Sequence, residues 1–432
     1  MPLHQATAPS PTKGRSYRTK QLMAASVGNA VEWFDWYVYS MLAVYFATQF
    51  FPAEGDSLVP LLSTLAIFAV GFFARPLGGL LIGLAADRYG RRRVLSLTIV
   101  GMGVGSLMIG LAPTYAQVGI VAPIILLVAR LIQGASAGGE YAAGSAFLIE
   151  SAPEGKRGLF SSFFYISATA ANLLAIGISA LLANTLDAQS MATWGWRIPF
   201  ILGSLAAVVG MWVRKHAEET LPELEKSPAK KVRVGMFDFF REHPRQALQI
   251  FGLTAAPALA FYVWTAYLPT YASITVGFDL KRGLMTGVIS LSVFLVLQPI
   301  FGALSDKVGR KPFLLTFGLF FTVGTVPLLN SLQPSFGSLL FVQVIGLVFI
   351  ACWSSVSSAV VSELFPARLR SSGIGFPYAA AVALFGGTGP YVATYLVSAG
   401  NAGYFAWYVA ALALISTVVF AFMPETAHRP LR

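Results

Sequence analysis

Five charged side chains stand inside long apolar runs of this 432-residue chain: Glu32, Asp35, Arg75, Arg130 and Glu140. Glu32 and Asp35 belong to Gly28-Asn29-Ala30-Val31-Glu32-Trp33-Phe34-Asp35-Trp36-Tyr37, within an apolar run from about Leu22 to Phe51. At ~1.5 Å of rise per residue that run exceeds the ~30 Å hydrocarbon core of a bilayer, so both carboxylates fall deep inside it. Ionised groups are costly there and mark a proton site, a ligand partner or a buried ion pair. Counted from the run ends expected on the cytoplasmic side, Glu32, Asp35, Arg75 and Glu140 lie at depths of ~16, ~21, ~18 and ~15 Å, close to the midplane. Arg130, ~30 Å from Glu150 by the same count, falls toward the opposite half.

Burial favours the protonated form of a carboxylate, and a nearby guanidinium favours the ionised form, so a movable arginine beside a buried acid makes a proton switch. The competing reading is a static salt bridge. Arg75 offers paired donors that match the two oxygens of a substrate carboxylate, or it neutralises Glu32 or Glu140. Glu140 follows a glycine-rich stretch, where pairing with Arg75 is the structural alternative to lining a substrate path. The four histidines, His4, His216, His243 and His428, all lie outside the apolar runs, which excludes a histidine relay within the membrane.

The elements that must position these groups are helices. The chain is 56% hydrophobic and 11% charged, with a mean hydropathy of +0.68, unlike a soluble globule. Its net charge of +11 is spread in short clusters between apolar runs, which speaks for membrane topology and against a nucleic-acid surface. One cysteine, Cys352, excludes intrachain disulfides and a cysteine-based zinc site.

Apolar runs bounded by glycine, proline and charge predict twelve spans, roughly 22–50, 58–84, 94–112, 117–149, 158–184, 197–214, 246–276, 283–304, 312–331, 336–362, 371–398 and 404–423. The expected organisation is a tail over 1–21, a six-helix bundle over 22–215, a polar linker over 216–245, a second bundle over 246–424 and a tail over 425–432. The tails, the linker and the loops on their side carry 25 of the 30 lysines and arginines, so both termini are expected on the cytoplasmic face.

The halves repeat. Gly83-Leu-Ala-Ala-Asp87-Arg88-Tyr-Gly90-Arg91-Arg92 after the second span is echoed by Gly302-Ala-Leu-Ser-Asp306-Lys307-Val-Gly309-Arg310-Lys311 after the eighth. Glu150 and Arg157 are echoed in the same way by Glu363 and Arg370. Matched segments at equivalent places predict a duplicated six-helix unit. In each loop an aspartate can sit against the positive end of a neighbouring helix while the basic cluster holds the surface. The glycine runs Gly101-x-Gly103-x-Gly105 and Gly134 to Gly139 follow no strand and lack a phosphate lysine, so close helix packing is expected of them.

These loops, with Arg130-Leu-Ile-Gln133-Gly134, resemble the signature of the major facilitator superfamily. Gly28-Asn29 with Glu32-Trp33-Phe34-Asp35, Arg75-Pro76-Leu77-Gly78-Gly79, Gly138-Gly139-Glu140-Tyr141 and Trp194-Gly195-Trp196-Arg197-Ile198-Pro199-Phe200 resemble its metabolite:proton symporter family, which includes α-ketoglutarate, citrate, shikimate and proline/betaine carriers. The first half looks most like the α-ketoglutarate and ketoadipate permeases, and Thr265-Ala-Tyr267-Leu-Pro269-Thr270-Tyr271 looks closer to the citrate carrier. Thr270 stands where those dicarboxylate permeases commonly carry a lysine.

The resemblance implies an all-α membrane protein of twelve transmembrane helices in two pseudo-symmetric bundles, working by alternating access. It pairs Asp35 with Arg130 for proton coupling, as in related sugar–proton carriers, with Glu32 as the second acid. Substrate contacts are expected from Arg75, Glu140 and Tyr141 in the first half, and from Tyr262, Thr265, Tyr267, Gln298, Trp353 and Tyr378 in the second. Packing is the alternative for each aromatic residue. Gly83, Asp87, Arg88, Gly90, Arg91, Asp306 and Arg310 are expected to latch and gate the halves.

The function expected is import of a di- or tricarboxylate with protons across a bacterial-type inner membrane by a monomer, with no cofactor, metal, enzyme activity or nucleic acid. The alternatives are a zwitterionic osmolyte carrier, a drug/proton antiporter and, more remotely, a transporter-like sensor.

Overall fold

The computed structural model describes residues 15–52, 58–89, 91–138, 140–218, 241–365, 370–427, 429 and 431. These residues form helices and short connections, with no strand among them. In a bilayer every backbone N–H and C=O must be satisfied within its own segment, which apolar runs of this length achieve as helices. Nine described helices are long and apolar enough to cross a membrane, and Leu97–Leu111 and Val121–Ala137 are shorter stretches of the same kind. With the first helix, Arg15–Phe50, they supply the twelve expected crossings.

In the first half the helices after Arg15–Phe50 are Val59–Tyr89, Arg91–Leu111, Val121–Ala137 with its continuation Glu140–Glu150, Arg157–Thr185 and Arg197–Glu218. The fourth span, expected as one helix, breaks at Gly138. The break lies where helices meet backbone to backbone. A Cβ on Gly134 would strike the Gly71 carbonyl, one on Gly78 the backbone of Ala135, and one on Gly138 the Arg75 carbonyl. Small residues on the second and fourth spans thus bring Arg75 and Arg130 toward the first helix.

The second half begins with Pro244–Tyr262, which runs through a π-helical stretch, Val263–Tyr267, into Leu268–Val276. It continues with Leu280–Val308, Lys311–Asn330, Phe336–Leu364, the eleventh span from Arg370 to Ser398, and Gly403–Phe422. The eleventh span carries its own π-helical stretch, Val382–Gly387. Such stretches often occur at functional positions, and here both adjoin the interface between the halves.

Prolines shape the seventh span by what they cannot donate. Pro257 has no N–H for the Leu253 carbonyl, which instead accepts the indole N–H of Trp353 at 3.1 Å. Pro269 likewise has none for the Thr265 carbonyl, which accepts Asn172 Nδ2 from the fifth span at 3.0 Å. Helix ends are capped by basic side chains. Arg197 donates to the carbonyls of Gly110 at 3.1 Å and Ala112 at 2.6 Å, and Lys311 Nζ to that of Ala421 at 2.6 Å. The halves meet along the fifth and eighth spans and along the second and eleventh.

Candidate functional site

A cavity of about 20 Å³ lies between the halves, walled by Asn29, Glu32, Trp33 and Arg75 on one side and by Gly375, Tyr378 and Val382 on the other. That is room for a water molecule. An organic acid of several carbons needs the walls to part.

Arg75 enters from the second span, 3.6 Å from the Glu32 carboxylate. At that separation the two are an ion pair without a hydrogen bond, and Nε and Nη2 of Arg75 make none elsewhere. The guanidinium lies 4.3 Å from the Trp36 ring centre and 4.5 Å from that of Phe72. Both rings favour a desolvated cation. Arg75 is thus a buried cation with donors to spare. The side chain of Glu140, its other expected partner, lies outside the described residues.

Aromatic and amide groups fix the cavity walls. Asn29 Nδ2 donates to the Phe164 carbonyl at 3.1 Å and to Ser167 at 2.7 Å, while its oxygen accepts Trp33 Nε1 at 2.9 Å. Trp33 stacks on Tyr262 of the opposite half, with centroids 5.7 Å apart. Tyr141 and Tyr378 face each other across the halves, rings 3.4 Å apart and 4° from parallel. The Tyr141 hydroxyl also meets Ser357 at 2.9 Å. Asn29, Trp33 and Phe164 were not expected as site residues, although Asn29 and Trp33 lie within the motif around Glu32.

Deeper in the first half, Asp35 and Arg130 are both fully buried. Their side chains do not form the expected ion pair. Asp35 bonds to Ser106, and Arg130 places Nη2 3.5 Å from the main-chain oxygen of Asp35. The guanidinium stacks 3.7 Å from the Tyr39 ring centre. Gln133, one turn after Arg130, donates to Ser106 at 2.9 Å.

Four expected substrate residues are placed elsewhere. Thr265 Oγ1 bonds back to the Phe261 carbonyl of its own helix at 2.6 Å. Tyr267 bonds to Thr394 within the second half. Gln298 donates to Thr169 across the halves at 2.8 Å. Trp353 is held by Leu253. The partners of Tyr267, Gln298 and Trp353 lie on other helices, where helix periodicity alone cannot reveal them, and none of the four residues lines the cavity. Tyr262 stands behind Trp33, while Arg75, Tyr141 and Tyr378 are in the wall itself.

At one end of the bundle Asp306 accepts the backbone N–H groups of Gly158 and Leu159 at 2.7 and 3.0 Å. Those groups open the fifth span of the other half, where unpaired N–H groups and the helix dipole favour an anion. Arg310 holds the same carboxylate at 2.9 Å and approaches Glu363 at 3.8 Å, and Arg157 reaches Glu363 at 3.7 Å. Glu425, just past the last helix, accepts the N–H groups of Arg310 at 2.9 Å and Lys311 at 3.0 Å. The side chains of Asp87, Arg88 and Arg91, and Gly90 as a whole, lie outside the described residues, while Gly83 lies within the helix Val59–Tyr89. Among the described residues no three histidine, cysteine, aspartate or glutamate side chains converge as a metal group.

Comparison with known proteins adds independent findings. The pattern of the Major Facilitator Superfamily matches residues 25–297, and that of sugar (and other) transporters matches residues 213–432. The chain is 40% identical to an alpha-ketoglutarate permease of Escherichia coli over 92% of both sequences. It is 34% identical to a glycine betaine/proline/ectoine/pipecolic acid transporter of Dickeya dadantii, covering 96% of this chain and 84% of that protein. A proline/betaine transporter of Escherichia coli is 33% identical, over 96% and 85%. Among solved structures, a proton:xylose symporter bound to 6-bromo-6-deoxy-D-glucose superposes with a TM-score of 0.77 at 19% identity, covering 96% of this chain and 98% of that one. The likeness to that structure shows the fold.

Proposed function

The chain belongs to the Major Facilitator Superfamily and is a multi-pass membrane transporter, not an enzyme, and from that premise we propose that it imports a small organic carboxylate together with protons. The observation that carries this reading is Arg75: a buried guanidinium at the cavity wall, loosely paired with Glu32, with Nε and Nη2 free of hydrogen bonds. A substrate carboxylate supplies the acceptors those donors lack. The 40% identity to an alpha-ketoglutarate permease supports a dicarboxylate such as α-ketoglutarate, with citrate as the tricarboxylate alternative.

In this reading the protein sits in a bacterial inner membrane with both termini cytoplasmic, so the Asp306 latch closes the cytoplasmic end. The latch opens and closes as the halves rock about the central cavity. Asp35 takes a proton on the acidic side and releases it when Arg130 swings into pairing distance. Glu32, displaced from Arg75 by the substrate, is the second acid. Aromatic walls leave room for little water beside the arginine, so its attraction for a carboxylate is stronger than in solution.

One observation favours a second reading. Trp33 stacked on Tyr262 presents aromatic faces beside the cavity, which suit a quaternary ammonium group. The betaine and proline transporters at 33–34% identity support a zwitterionic substrate.

A thermal-shift screen with α-ketoglutarate, citrate, proline and betaine, followed by pH-gradient-driven uptake into proteoliposomes, separates the two. The carboxylate reading expects stabilisation and accumulation of an organic acid. Accumulation of betaine or proline alone overturns it. Proton coupling is tested with Asp35→Asn, which should lose gradient-driven accumulation while retaining exchange. Undiminished accumulation counts against that assignment.

A further inference from the structure

We propose that Ser106, held by Gln133, is a positioning residue for the proton of Asp35, the neutral partner to which the Asp35 carboxyl turns when it is not paired with Arg130. The proposal rests on the proton-coupling reading above and names the groups that operate it.

Asp35, Ser106, Gln133 and Arg130 are each 0% exposed. Ser106 Oγ bonds to Asp35 Oδ2, lies 3.1 Å from the Met102 carbonyl oxygen and receives Gln133 Nε2 at 2.9 Å. A hydroxyl has one proton to give and two lone pairs. The Met102 carbonyl can only accept, and Gln133 supplies its own proton. When the Ser106 proton goes to Met102, the Asp35 contact is a hydrogen bond only if the carboxyl is protonated and donates. When Asp35 is ionised, the Ser106 proton turns to the carboxylate, and the Met102 carbonyl keeps only its helical N–H. One rotating hydroxyl serves both forms, but all three contacts are satisfied together only by a protonated Asp35.

Arg130 gives the complementary observation. Its Nε and Nη1 make no hydrogen bond, and its nearest approach to Asp35 is to the main-chain oxygen at 3.5 Å. A buried ionised carboxylate this close to a guanidinium would be drawn into direct pairing, and Arg130 instead rests its charge on the Tyr39 ring, 3.7 Å from the ring centre. The open pair fits a neutral acid.

The surroundings hold few other charges. On the first helix Glu32 lies about a turn from Asp35 and pairs with Arg75 of the second span, while Tyr39 faces Arg130. The third span contributes Ser106 and the fourth contributes Arg130 and Gln133. From the sixth span Gly203 closes over Asp35 Oδ1, where a side chain would collide. Asp35 Oδ1 itself makes no hydrogen bond, so among the described residues Ser106 is the one side chain bonded to this carboxyl. That makes Ser106 the group whose removal the Asp35 proton should feel.

The test is pH-difference infrared spectroscopy on the full-length protein in lipid, comparing the native chain with Ser106→Ala, Ser106→Thr and Asp35→Asn. The protonated carboxyl C=O band that disappears in Asp35→Asn belongs to Asp35. In Ser106→Ala that band should move to higher frequency, and its titration midpoint should shift by about one pH unit, the equivalent of one hydrogen bond. Ser106→Thr, which keeps the hydroxyl, should restore both. An unmoved band and midpoint in Ser106→Ala, or no band lost in Asp35→Asn, overturns the proposal. The coupling reading fails separately, if Asp35→Asn still accumulates substrate on a pH gradient.

Discussion

The carboxylate of Asp306 receives the backbone N–H of Gly158 at 2.7 Å, so an acid on the eighth span closes over the first turn of a helix in the other half. Because that turn also presents the N–H of Leu159, the contact is a charged group on two donors rather than a side-chain pair. Hydrogen bonds to charged groups contribute about 1.5–3 kcal/mol. Asp306→Asn keeps an acceptor but loses the charge, at a cost of about 1.4 kcal/mol, or roughly a tenfold shift toward conformers open at this end. Distances between spin labels on the fifth and eighth spans read that population directly. An unchanged distribution would mean that the latch carries no weight.

Gly158 makes the same closure possible by size. A Cβ there would collide with Ser305, with Arg310 and with the Gly302 carbonyl. Gly158→Val should therefore hold this end apart and reduce transport at least tenfold, while substrate binding measured by thermal shift persists. Normal turnover in that variant would show that the close approach is not obligatory.

Arg75→Lys retains the charge but not the planar fork. If Arg75 grips a substrate carboxylate through two donors, the KM for uptake should rise roughly tenfold with little change in expression, since losing one charge-assisted hydrogen bond is worth about 1.5 kcal/mol. A KM equal to that of the native protein would assign Arg75 to pairing with Glu32 alone.

Glu425 offers a pH-dependent contact outside the membrane. Partial burial works upward on its carboxyl, but the backbone N–H groups of Ala427, Arg310 and Lys311 outweigh burial and hold it below the ordinary value of 4.5. A carboxylate held down in the folded protein stabilises it above that ordinary value, and the contribution fades as pH falls through the folded one. Glu425→Gln should thus lower the Tm at neutral pH, and the difference from the native protein should shrink below about pH 4.5. A Tm difference independent of pH would point to lost packing instead.

The membrane architecture was legible because each crossing needs an uninterrupted apolar run, and composition alone displays such runs. Asp306 and Arg310 were legible from the repeat of their loop in both halves. Their partners were not, since Gly158 and Leu159 contribute backbone N–H groups that carry no residue-type signal. Similar depths in adjacent helices left Glu32 and Glu140 both open as partners of Arg75, and the structure places Arg75 beside Glu32. The exchange of Arg130 for Ser106 as the partner of Asp35 could not be read, because it depends on the angular orientation of three helices. Trp353 and Tyr267 looked like cavity residues by type. Their polar tips go to Leu253 and Thr394, contacts fixed by a proline four residues after Leu253 and by packing between distant spans.

The two carbonyls freed by prolines in the seventh span differ in what grips them. Leu253 is held by Trp353 from the same half and can travel with it as one body. Thr265 is held by Asn172 from the opposite half, so any rocking that parts the fifth and seventh spans strips that oxygen of its partner in the middle of the membrane. In the alternating-access reading each cycle removes this side-chain donor, and incoming water or a donor group on the cargo takes its place beside the Thr265 oxygen.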